Sequence, residues 1–315
     1  MSRFLRRLAR RLPYLRDLHA YVVALEGERD ALRGELARMK TWTKTWVPPG
    51  HFYSPIPSTD EVRARETEIF AAPPSLPAIE LNAAAQLALL ESLARYYADV
   101  PFPRTQSVET RYWYENWAYS YGDAILLYAM LREHRPRRVI EIGSGFSSAV
   151  MLDTRERFGL DFSLTCIEPD PATLRALLRP GDEVELLDVP VQSVPLARFD
   201  LLGAGDVLFV DSTHVSKTGS DVNRIVFEIL PRLAAGVLVH FHDMFYPFEY
   251  PKEWVYEGRA WNEDYLLRAF LAYNGAFEIV LFTTFLAQFH REALARAMPL
   301  AMENPGGALW LRRAG

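Results

Sequence analysis

Two short segments carry acids and histidines in a pattern that can do chemistry. DVLFVDSTHVSKTGSD holds Asp211 and, three residues later, His214; GVLVHFHDMF holds His240, His242 and Asp243. Each segment opens with a short β-branched run, so these residues are expected where strands end. Carboxylates beside an imidazole can hold a divalent cation such as Mg2+ or Mn2+. An imidazole left free can act as general base toward a hydroxyl. His240, two residues before His242 on the same strand face, reads as a core residue instead.

A third segment, RRVIEIGSGFSSAVML at 137–152, runs from a buried strand into Gly143-Ser144-Gly145 and then into a helix. Glycines there let the backbone turn sharply and a ligand approach closely. The same turn aims helix N–H groups, with Ser144 and Ser147 beside them, at an anion or carboxylate. The third glycine of the dinucleotide fingerprint is replaced by Ser148, and an acid, Glu141, stands two residues before the first glycine. In SLTCIEPDP, Glu168 follows Gly143 by 25 residues, at the end of the next expected strand. A carboxylate there can accept hydrogen bonds from both hydroxyls of a ribose. After the third strand, Asp188 or Gln192 is placed to read an adenine edge.

Positioning these residues takes a regular framework. Strands are expected at Arg138–Ile142, Ser163–Ile167, Glu183–Leu187, Asp206–Val210, Gly236–Phe241, Phe277–Phe282 and Ala308–Arg312, separated by helical stretches. Two helices, 81–98 and 119–134, precede them. Strands alternating with helices imply a mostly parallel sheet covered on both faces, an α/β/α sandwich of the Rossmann-like class. Ligands of such sheets sit beyond the carboxyl ends of the strands, which would draw Asp211, His214, His242 and Asp243 together. Two aromatic segments flank the framework: RYWYENWAYSYGD (111–123) and FYPFEYPKEWVYEGRAWNEDY (245–265). Aromatic faces with interleaved carboxylates suit a sugar or another polyhydroxylated acceptor.

The acid-x-G-x-G form of Glu141, Gly143 and Gly145 resembles the first motif of class I S-adenosylmethionine-dependent methyltransferases. That resemblance implies that Glu141 supports the methionine end of the cofactor. The Asp211-x-x-His214 spacing, with an acid ending strand five, resembles the metal-dependent O-methyltransferases of macrolide sugars and related bacterial methyltransferases associated with glycan assembly. The likeness covers residues 106–315. It implies Asp211 and Asp243 as metal ligands, His214 as the base that deprotonates a hydroxyl, and Asp211 also near the cofactor. One position departs from the family pattern: His242 stands where the first of an acidic pair is expected, and is carried as a metal ligand with them. Adenosine is common to nicotinamide cofactors too, so an oxidoreductase or hydroxylase-like enzyme on this fold, or a non-catalytic scaffold, are the alternative readings.

Composition bounds the partners. The chain has 315 residues, 35 Lys or Arg, 40 Asp or Glu and a single cysteine, Cys166, so it forms no internal disulfide. Residues 1–44 carry 11 basic and 5 acidic side chains, and the remainder 24 and 35. An acidic body argues against nucleic acid as the main substrate. The lack of a long apolar run predicts no transmembrane segment, and a cytoplasmic location with possible peripheral membrane contact through the basic arm is the expectation. Three parts are expected: a helical arm (1–45), a proline-rich strap with an accessory helix (46–105) and the catalytic domain (106–315). In the arm, Pro13 is expected to break or restart the helix. Leu15, Leu18, Val22, Leu25, Leu32, Leu36 and Met39 follow a 3-4 repeat interrupted by Arg29, the pattern of a dimerising coiled coil.

Overall fold

Near-continuous apolar runs make strands that can be buried on both faces, and four runs of this chain form the centre of a parallel sheet. The structure, a computed structural model, describes residues 3–42 and 45–315, with the side chains of 3–16, 19 and 38–42 left aside. It divides into two units, residues 1–58 and 59–315.

In the larger unit the strands are β1 (Arg138–Ile142), β2 (Ser163–Ile167), β3 (Glu185–Leu187), β4 (Val207–Val210), β5 (Leu238–Phe241), β6 (Phe277–Phe282) and β7 (Leu309–Arg313). They form one sheet in the order β3-β2-β1-β4-β5-β7-β6. β1 to β5 are parallel; β7 runs antiparallel between β5 and β6. β3 begins later than its sequence suggests, because only Glu185, Leu186 and Leu187 find partners on β2 at this edge. Helix Tyr121–His134 is buried along Tyr121–Leu131 and packs on helix Phe146–Phe158, which makes the crossover from β1 to β2. Helix Ala83–Ala94 packs on β6, where Gln86 accepts the N–H of Phe282 at 2.8 Å. Residues 59–105 therefore share the core of the catalytic framework.

The sheet's carboxyl edge is what positions the chemistry. Hydrogen bonding continues one residue beyond each central strand. Glu168 N–H donates to Leu187 (3.0 Å), Gly143 to Ile167 (3.0 Å), Asp211 to Ile142 (2.8 Å) and His242 to Val210 (2.9 Å). Four residues from four strands are thereby held in one row. With neighbouring strands about 4.8 Å apart, the row from Glu168 to His242 spans roughly 14 Å.

The smaller unit holds one helix, Arg3–Trp42, followed by irregular turns through residue 58. The helix passes through Pro13, contrary to the expected break. A proline's fixed φ is itself helical, so one lost hydrogen bond among strong Leu, Arg and Ala formers need not end a helix. Among the described residues no helix is long and apolar enough to cross a membrane.

Candidate active site

Two cavities open along the carboxyl edge. The larger, about 760 Å3, is walled by the segment 116–120, the turn 144–147, the ends of β4 and β5, and aromatic residues of the 245–261 loop. The smaller, about 420 Å3, lies over β1 to β3 and is lined by Glu168, Gln192 and apolar residues including Ile142, Ile167 and Val191. Asp211, Ser212 and Thr213 line both.

The glycine turn is built from beneath. Glu141 is fully buried, lines neither cavity, and accepts hydrogen bonds from Ser147 Oγ (2.6 Å), Ser148 Oγ and Cys166 Sγ (3.2 Å). Burial pushes its carboxyl up to about 7 against the pull of those three donors. It shapes the turn and does not reach into a cavity. Gly143 has φ +89°, and a Cβ there would sit 2.0 Å from the carbonyl oxygen of Asp211. The backbone just after β4 thus demands glycine here, and Gly143 also lines the smaller cavity. Gly145 differs: an added Cβ would meet only Thr173 Cγ2, at 3.5 Å, in the mouth of the larger cavity. Ser144 holds its buried hydroxyl beside that opening, without a hydrogen-bond partner among the described residues.

Glu168 accepts the N–H groups of Asp170 (2.9 Å) and Ser144 (3.2 Å), which orient its carboxylate across the smaller cavity. Burial raises its pKa. Gln192 donates its amide to Gly219 O (3.0 Å), which leaves its carbonyl available. Asp188 is drawn away instead, into an ion pair with Arg175 (2.6 Å).

His214 anchors the other half of the edge. Its backbone lies in the left-handed region (φ +59°), uncommon for a non-glycine residue. Its carbonyl accepts the N–H groups of Asn262 (3.0 Å) and Glu263 (3.2 Å), sewing the β4 loop to the start of helix Glu263–Leu271. Its Nδ1 lies 2.9 Å from Oε2 of the fully buried Glu263, and its Nε2 lies 3.5 Å from Asp211 Oδ1. Trp261 covers the ring at 4.4 Å. Burial alone would lower the imidazole's pKa, but Asp211 and Glu263 together push it up to about 10. Burial raises Glu263, although the imidazole pulls it down. Burial also works to raise Asp211, yet His242 and His214 hold it below the ordinary carboxylate range.

At the end of β5, His242 Nε2 lies 3.5 Å from Asp243 Oδ1, and its Nδ1 has no protein partner. Asp243, Asp211 and Asp123 raise its pKa above what burial would leave. Asp123, from the first turn of helix Tyr121–His134, accepts Gly307 N–H at 3.0 Å and is pushed up to about 7 by burial. His240 lies in the core, stacked on Phe209 at 4.0 Å and close to Trp310, with burial holding it well below the ordinary histidine value.

Residues 140–244 match the model of a family described as a methyltransferase domain. An uncharacterised protein of Archaeoglobus fulgidus is 38% identical over 161 residues, 49% of this chain and 73% of the relative. The reversed β7 and the glycine turn after β1 complete the pattern. The chain carries a methyltransferase domain, on a sheet and glycine turn of the class I S-adenosylmethionine-dependent kind. Solved structures similar to it include the SAH-bound methyltransferase PaMTH1 of Podospora anserina (16% identity, 86% of this chain and 99% of that one, TM-score 0.41). Another is the O-methyltransferase TomG of Streptomyces achromogenes, involved in tomaymycin synthesis, in complex with SAM (15% identity, 81% and 96%, TM-score 0.40).

The methyltransferase brings Asp211, His214, His242 and Asp243 to one cavity wall, together with Ser144, Gly145 and Ser147. It does not arrange the acids and His242 as a cation site: among the described residues no group of three or more His, Cys, Asp or Glu side chains is placed to hold a metal ion. The expectation of a cation on Asp211, His242 and Asp243 is not matched by this donor set. Burial works against a charged His242, and Asp243, Asp211 and Asp123 outweigh it and raise the ring's pKa.

The aromatic segments divide between core and cavity. Tyr112 and Tyr114 pack with Phe102 in the interior, and of that segment's aromatic residues Trp117 and Tyr119 line the cavity. From the second segment Phe245, Trp254 and Trp261 line it, with Arg259 lying over Trp254 at 4.2 Å. Two site residues escaped the sequence reading, Glu263 and Asp123. Each opens a helix, so its acid reads there as ordinary first-turn charge; only burial marks it out.

Proposed function

We propose that this methyltransferase transfers a methyl group from S-adenosylmethionine to a hydroxyl oxygen of a sugar, glycan or natural-product acceptor. The observation that carries the reading is His214 in the wall of the larger cavity, with Glu263 behind it and, in front, Asp211, which lines both cavities. The residues present fit the cofactor: an orphaned serine hydroxyl, an open glycine and an oriented carboxylate lie along one edge.

S-adenosylmethionine supplies an electrophilic methyl group when bound. Glu168 accepts the ribose hydroxyls, and Gln192 offers its carbonyl to the adenine edge. Ser144, Gly145 and the N-terminus of helix Phe146–Phe158 receive the methionine carboxylate. Asp211, shared by both cavities, places negative charge where the two substrates meet. Trp117, Trp254 and Trp261 give the acceptor apolar faces to stack on. Glu263 fixes the ring of His214 through Nδ1, so that Nε2 faces the cavity and takes the acceptor's proton. Alignment of acceptor and cofactor supplies much of the acceleration. No step is assigned to a metal.

The test is transfer of label from S-adenosylmethionine to a panel of sugars and hydroxylated natural products, with S-adenosylhomocysteine affinity measured alongside. Asp211→Asn is expected to lose turnover by roughly 10²-fold or more while remaining folded. Undiminished turnover in that variant would sink the reading, as would stabilisation of the wild type by NAD(H) and not by S-adenosylhomocysteine.

A further inference from the structure

The 3-4 repeat of the N-terminal helix lies on one face of a helix 40 residues long, about 60 Å end to end. Leu18, Val22, Leu25, Leu32 and Leu36 are between 43% and 64% exposed. A row of large apolar side chains exposed along about five turns is a face that a helix can offer to a partner. With Val22 at position a, the repeat puts Leu18, Leu25 and Leu32 at d, and Gly27 and Gly34 at f, the outermost position. A Cβ on either glycine would meet nothing within 4 Å. The weakest helix formers therefore sit where no contact is required.

We propose that residues 15–39 pair with the same segment of a second copy of this chain as a parallel, in-register two-stranded coiled coil. The charges choose the orientation. Glu28 and Glu35 fall at g, and Arg33 and Lys40 at e. In a parallel pair each g faces the e five residues further along the partner, which matches Glu28 with Arg33 and Glu35 with Lys40. An antiparallel pair would set g against g, placing Glu28 and Glu35 acid on acid, while the e row would carry Glu26 beside Arg33 and Lys40. Of the a positions Leu15, Val22, Arg29 and Leu36 only Val22 is β-branched, so the two-stranded state rests on the charged a position, Arg29, as a lone polar a residue does in specifying register and strand number. Arg29 interrupts the seam at an a position, but its guanidinium is turned to Asp30 on its own helix at 2.9 Å. The two chains leave such a coil at the same end.

The full-length protein in a sedimentation experiment at micromolar concentration is expected at twice 36.0 kDa. Leu25→Asp with Leu32→Asp is expected to halve that mass while the main thermal transition stays in place, which separates loss of pairing from loss of folding. Leu25→Cys should form a disulfide-linked dimer under mild oxidation, and Val23→Cys, on the outer face, should not; Cys166 is buried and does not compete. A monomeric or a higher-order wild type would overturn the proposal, as would cross-linking through position 23 in preference to 25. So would a monomer that sediments with phosphatidylglycerol vesicles, because the seam would then belong to a membrane surface. None of these readouts depends on methyl transfer.

Discussion

Two of the places where the catalytic unit encloses acids neutralise them by different means. Below the sheet edge, Arg111 is almost wholly enclosed and binds Asp153 (2.7 Å), Glu156 (2.7 Å) and Asp182 (2.9 Å through Nε). Asp153 also accepts the backbone N–H groups of Arg111 and Tyr112. At the cavity, the opposite charges that act most on Asp123, Asp211 and Glu263 are those of His214 and His242. A guanidinium keeps its proton at any pH a protein meets, so the first cluster is a permanent clamp. An imidazole can give its proton up, so the second cluster trades stability for the capacity to move one. Burial alone does not mark a functional site; the titratability of the counter-charge does.

Removing the clamp should produce the largest effect. Arg111→Ala leaves buried carboxylates without their counter-ion, and a loss of about 3–5 kcal/mol is expected. Denaturant melts would register it. A change below about 1 kcal/mol would mean that water replaces the guanidinium and that the contrast with the cavity is overstated.

A second change sharpens the catalytic side. His214 must be neutral to accept a proton, and its pKa is pushed up to about 10, so methyl transfer should rise with pH toward that value. Glu263→Gln keeps an acceptor for Nδ1–H but removes the charge. The rising limb should then move to lower pH by roughly one to three units, and the high-pH plateau should fall, because a less basic imidazole is a weaker base. A profile whose limb stays put would remove Glu263 from the proton's path.

The smallest effect concerns Asp123. Its folded value, about 7, lies above the 3.8 of a free aspartate, so folding favours the protonated form. Its contribution is fully present below pH 3.8 and is lost as pH rises through 7. Asp123→Asn retains an oxygen for Gly307 N–H and carries no charge to desolvate. It should melt above the wild type at pH 8, by roughly 2–4 °C for about 1 kcal/mol, with the gap closing toward pH 4. A constant gap across that range would point to packing.

Much of this arrangement was legible in the chain, because its signals are local. β1, β2 and β6 begin and end where their β-branched runs do, and the acids and histidines after β4 and β5 line the cavity as their strand-end positions require. Local signals also carried a second meaning. Glu141 holds two serines and a thiol of the turn, and Gly143, which lines the smaller cavity, also clears space for Asp211's carbonyl. A motif shows that a turn must be tight without showing what presses on it.

The sequence by itself determined which residues end strands and which lie along helix faces, because period and turn chemistry act over a few residues. Only the tertiary structure decided that Glu263, 49 positions from His214, stands behind its ring, and that Asp123 shares the cavity with His242. Such partners are chosen by how helices pack across the sheet. The energy that makes them matter, the desolvation of a charge, exists only once the chain has closed around it.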